Sequence, residues 1–100
     1  MERPIWAYKV ETPGTWEDYV SAIRVFPDRV EYTLGWREPS HHAIRAENII
    51  AIRRGTLSMK NIITITTPEW PPHELVAAWD RQTQEAFIYA VKQVMKGDAD

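Results

Sequence analysis

Apolar and polar residues alternate with a period of two along most of this chain, and the period changes to that of a helix only near its end. The clearest alternation runs over residues 29–36. Val30, Tyr32, Leu34 and Trp36 share one face there, and Arg29, Glu31, Thr33 and Gly35 the other. Residues 19–26 precede it as a strand with neither face clearly polar. The Phe26-Pro27-Asp28-Arg29 turn between them, with proline pre-set for its first central position, predicts an antiparallel hairpin. Residues 5–10 read as an earlier strand, broken by Pro13-Gly14.

Further along, residues 41–45 and 49–54 read as strands around a single helical turn at residues 46–48, the second closed by Gly55. Residues 60–67 are rich in Ile and Thr, whose branched side chains fit a pleated surface. Pro68-Glu69-Trp70-Pro71-Pro72 is a stiff loop. Residues 73–79 fit two patterns: Leu75, Val76 and Trp79 at helical spacing, or Leu75, Ala77 and Trp79 on one strand face. Residues 81–96 form an amphipathic helix with the stripe Ala86, Phe87, Ala90, Val91, Val94 and Met95. Asp80 or Thr83 caps its start, and Gly97 stands where a left-handed residue would end it. A lone helix cannot bury such a stripe, so the strands supply the surface it covers.

Composition narrows the function classes. The 100 residues make one domain, and 44% hydrophobic residues supply one core. A formal charge of -2 runs against a general nucleic-acid binder. Without cysteine there is no disulfide framework and no thiolate metal site. No apolar run has the length of a membrane span and none follows Met1-Glu2-Arg3-Pro4 as a signal peptide would, so the expectation is a soluble, cytoplasmic protein.

Three stretches resemble the pleckstrin-homology-like superfold, particularly its small bacterial members. They are Val25-Phe26-Pro27-Asp28-Arg29-Val30-Glu31-Tyr32, which is similar to its hairpin; Ile44-Arg45-Ala46-Glu47-Asn48-Ile49-Ile50-Ala51-Ile52, similar to its strand, turn, strand element; and Asn61-Ile62-Ile63-Thr64-Ile65-Thr66 before a last strand and helix. The resemblance implies a mainly β (α+β) fold: a barrel of seven antiparallel strands in two near-orthogonal sheets, capped at one end by the C-terminal helix. It also implies that an Ile after Asn48 pins the turn to the core, and that residues 73–79 are a strand. Phosphoinositide-binding members use basic residues around their first two strands. Glu11, Glu17 and Asp18 stand there in this chain, so lipid binding does not carry over.

Few side chains carry chemistry. His41 and His42 are adjacent in a strand and point to opposite faces, so they cannot chelate one ion together. No nucleophile, base and acid have a recognisable context, and the four glycines form no phosphate loop, so no enzyme and no cofactor is expected. Arg45, Arg53, Arg54 and Lys60 form the basic segment; if Arg45 and Arg53 lay on neighbouring strands they would make an anion site. Trp36 and Trp79 read as core, whereas Trp16 and Trp70 lie in loops as a partner interface, unless Trp70 folds over the apolar face as a lid. The expectation is a non-enzymatic module that binds a protein or itself, without nucleic acid. The alternative is an anionic lipid or phosphorylated ligand held by the basic face at a membrane periphery. Self-association would run through the uncharged strand at residues 61–67 if that strand is an edge; a central position would explain its Ile content equally well.

Overall fold

The computed structural model describes residues 2–10, 19–57, 59–77 and 79–95. Along the chain come β1 (Trp6–Lys9), β2 (Val20–Val25), β3 (Arg29–Leu34) and β4 (Ser40–Arg45), then a single 3-10 turn (Ala46–Asn48). After it come β5 (Ala51–Leu57), β6 (Lys60–Thr66), β7 (His73–Val76) and α1 (Arg81–Val94). Strands β1 to β4 form one antiparallel sheet in chain order, and β5 to β7 a second. Among the described residues no strand of one sheet pairs with a strand of the other. The expected barrel is therefore not closed by a ladder; side chains, not backbone, fill the seam between its sheets.

Local chemistry sets the element ends. The hairpin closes at Phe26 and Arg29, which exchange backbone bonds of 2.8 and 3.4 Å. β3 stops at Leu34, short of the alternation, because Gly35 takes φ 86° and turns the chain out of the sheet. β5, by contrast, does not close at Gly55. Its pairing with β6 continues through Thr56 and Leu57, and Gly55 is accommodated as an ordinary strand residue beside Ile62. Asp80 is the helix cap, its carboxylate accepting from the Thr83 amide at 2.7 Å. Hydrogen bonding from Thr83, its side chain first and its amide second, holds the Asp80 carboxyl below the usual range. The helix ends at Val94, and Gly97 lies outside the described residues.

The strand that the resemblance placed over residues 73–79 covers only His73–Val76, with Leu75 fully buried; Ala77 and Trp79 follow outside the sheet. The core is formed by Ile23, Val25, Val30, Tyr32 and Ile44 from the first sheet and Ile52, Ile63, Ile65 and Leu75 from the second. Phe87, Ala90 and Val91 close it from α1, and Ile49 reaches in from the turn. Of the expected helical stripe, Ala86 is exposed, and Gln84 takes a buried place one turn earlier. Trp79 is core, ringed by Tyr8 and Phe87, and its indole N–H donates to the Asn61 carbonyl at 3.2 Å. Arg29 ties the N-terminal segment down: it meets Glu2 at 2.7 Å, Asp28 at 2.7 Å and Glu31 at 2.6 Å and lies over the Phe26 ring. These bonds hold the Arg29 guanidinium more firmly protonated and the Glu2 carboxyl below its usual range. No helix among the described residues is long and apolar enough to cross a membrane.

β6 is the middle strand of its sheet, bonded to β5 on one side and β7 on the other. The route to self-association through residues 61–67 is thereby overturned. Their Ile-rich character comes from burial of Ile62, Ile63 and Ile65, not from an open edge.

Candidate partner-binding cleft

The sheets part along β4 and the start of β7, and a cleft of about 470 Å³ opens there. Ala43, Ile44 and Arg45 of β4 and Asn48 of the turn line one side; Thr67, Pro68, Glu69 and His73 line the other. His73 in its wall belongs to one polar link between the sheets. Tyr32 on β3 reaches across to His73 on β7, hydroxyl to Nδ1 at 2.6 Å, while the His42 ring stacks on Tyr32 with centroids 4.9 Å apart. Burial raises the Tyr32 pKa and keeps its proton on oxygen. Burial first, and His42 second, push the His73 pKa down, with Glu69 opposing weakly. The link therefore joins a neutral phenol and a neutral imidazole, and the His73 tautomer sets which of the two donates.

The loop over this cleft is stiff. Pro68, Pro71 and Pro72 restrict its backbone, and the Thr67 hydroxyl accepts from the Glu69 amide and donates to the Glu69 carbonyl, both at 3.3 Å. At its tip Trp70 is 87% exposed, so it is no lid. Ile50 is also exposed, and its amide bonds to the Thr66 carbonyl just before the loop. Trp16, the other loop tryptophan, lies outside the described residues. His41 and His42 do point to opposite faces: His41 Nδ1 meets the Thr33 hydroxyl at 3.0 Å, away from the Tyr32 stack. Among the described residues no three His, Asp or Glu side chains gather as a metal site.

The four basic residues are dispersed. Arg45 belongs to the first sheet and pairs with Glu47 at 3.0 Å. Arg53 and Arg54 are neighbours on β5 and project to opposite faces. Arg54 meets Glu85 at 3.4 Å, and Lys60 lies over the Tyr19 ring at 5.2 Å. Arg45 and Arg53 are not on neighbouring strands, because β4 bonds only β3 and β5 only β6 among the described strands.

Two further hollows flank α1. Ile5, Trp6, Pro27, Ala86, Tyr89 and Val94 line an apolar groove of about 600 Å³ between β1 and the helix. On the far side Arg54, Thr56, Asn61, Arg81 and Gln84 surround a polar hollow of about 320 Å³, where the Gln84 side-chain Nε2 is buried without a partner among the described residues. Sequence reasoning missed the Tyr32–His73 link because 41 residues separate its ends. The only signal was a Tyr and a His that each fell on the apolar side of a strand pattern. Comparison with family models, with characterised proteins and with solved structures returns no match to this chain.

Proposed function

We propose that this chain is a non-enzymatic binding module on a pleckstrin-homology-like scaffold, and that it captures a protein partner through Trp70 and the cleft beside it. Four strands, three strands and one helix, in that order, support the scaffold. The observation that carries the function is Trp70: a large apolar ring held out to solvent on a proline-stiffened loop. Hiding such a ring against the core would stabilise the isolated domain, so its exposure points to a partner that covers it. Tryptophan and arginine are the side chains that most often anchor protein interfaces, and Arg45 stands in the adjoining cleft. The stiff loop loses little freedom on docking, so less of the contact energy is spent on ordering it.

The test compares immobilised wild-type protein with Trp70→Ala in extracts of the source cells after cross-linking. A protein retained by wild type and lost from Trp70→Ala, with an unchanged melting temperature, supports the reading. The same retained set on both overturns it.

A further inference from the structure

Among the described residues there are four strand edges, and three of them are well guarded. β1 and β7 are four residues long; β1 carries Lys9, and Pro71 and Pro72 precede β7. β5 carries Arg53 and Arg54 and is tied to α1 by the Arg54–Glu85 pair. β4 is the least protected: Pro39 precedes it and Arg45 ends it, but residues 40–44 between them carry no such guard. It is six residues long, with no lysine, proline or register shift, and Ser40 to Ala43 are all exposed.

The phase of its free backbone groups follows from two sets of bonds. Phe26 and Arg29 bond each other reciprocally, so Glu31 and Thr33 turn their backbone groups to β2, and Val30, Tyr32 and Leu34 turn theirs to β4. The Ala46 amide donates to the Asp28 carbonyl at 2.9 Å, one step beyond the Arg29–Arg45 pair, and gives the same phase. Ser40, His42 and Ile44 thus bond β3, and His41, Ala43 and Arg45 present their N–H and C=O groups to the open edge.

We propose that β4 pairs with β4 of a second copy of this chain, antiparallel about a two-fold axis at Ala43, so that the two four-stranded sheets become one. In this register Ala43 opposes Ala43 of the other copy, and His41 opposes Arg45. Each is a hydrogen-bonded pair, giving about six backbone bonds across the junction. The smallest side chain of the strand lies on the axis, and no two arginines face each other. Side chains keep their faces: His41, Ala43 and Arg45 stay on the outer surface, with His42 beside Ile44 of the other copy beneath. Two-fold closure consumes both edges, so the product is a dimer and not a fibre.

Sedimentation from micromolar to millimolar protein tests this, with amide hydrogen exchange as the local readout. Wild type should dimerise with rising concentration, and the His41, Ala43 and Arg45 amides should gain protection with it. Ala43→Pro removes an outward donor without touching the β3 ladder and should weaken association at least about tenfold. Ala43→Lys sets two ammonium groups side by side on the axis and should abolish it, while the exposed position leaves the fold intact; Ala43→Val should preserve it. Trp70→Ala should leave association unchanged, which tells edge pairing apart from capture by the Trp70 loop, although Ala43 and Arg45 also line the cleft beside that loop. A wild type monomeric at millimolar concentration overturns the proposal. So does association that survives both Ala43→Pro and Ala43→Lys, or protection that appears elsewhere and not on β4.

Discussion

β6 and β4 form an instructive pair. β6 has the composition of a sticky strand, uncharged and Ile-rich after Lys60, yet both its edges are bonded and three isoleucines are buried. β4 has the composition of a harmless surface strand, with serine and two histidines, yet among the described residues no strand pairs with its outer edge. Apolar content reports on the faces of a strand. Vacancy reports on its edges, which lie at right angles to the side chains. The two quantities are independent, and here they point in opposite directions.

Substitutions can break this contrast, and the largest effects belong to the covered region. Phe87 is fully buried against both Trp6 and Trp79, so Phe87→Ala should cost about 3–5 kcal/mol in urea unfolding. A cost below about 1 kcal/mol would remove α1 from the core. Next comes proline in the two strands. Thr64→Pro breaks a ladder in the middle of a sheet and should cost roughly 2–4 kcal/mol, a lost bond plus an orphaned carbonyl, whereas Ala43→Pro should leave the melt close to wild type. Equal losses at both positions would show that β4 is covered in solution.

The seam between the sheets should respond more gently. Tyr32→Phe deletes the bond to His73 and should cost about 0.5–1.5 kcal/mol by the same unfolding measurement. The pH dependence has a definite sign. The His73 pKa is depressed in the folded protein, so the unfolded chain binds the proton more readily. The stabilisation is present above the ordinary value of 6.5 and is lost as pH falls from there through the folded value. The urea midpoint should drop between pH 7.5 and 5.5 (about one unit either side of a free imidazole), and His73→Gln should flatten the profile. A wild-type midpoint that holds steady over that range contradicts a neutral His73.

Much of the fold was legible because its signals are local. Alternation and the Pro-Asp turn placed β2 and β3; the helical stripe and Asp80 placed α1; the turn before Ile49 was visible as a break between two apolar runs. Only the ends moved, where Gly35 left the sheet and Gly55 stayed in it. The candidate site was half visible. Trp70 stood out as an aromatic among prolines, and Arg45 as one charge of a basic run, but nothing along the chain says that β4 and the loop after β6 border one cleft. That depends on how two sheets lean together. The same limit explains the dispersed arginines: nearness in sequence put Arg53 beside Arg54, and strand geometry turned them apart.

Exposure of Trp70 also makes the protein its own spectroscopic sensor. Trp79 sits in the core with its indole N–H bonded, and Trp6 is half covered, so both should emit from dry surroundings and resist iodide. Trp70 should emit at longer wavelength and be quenched freely. The difference spectrum between wild type and Trp70→Phe isolates that one ring from the other tryptophans. A blue shift and loss of quenching in that difference would register an arriving ligand at the cleft with no dye or tag attached, and its amplitude against concentration would give the binding isotherm directly.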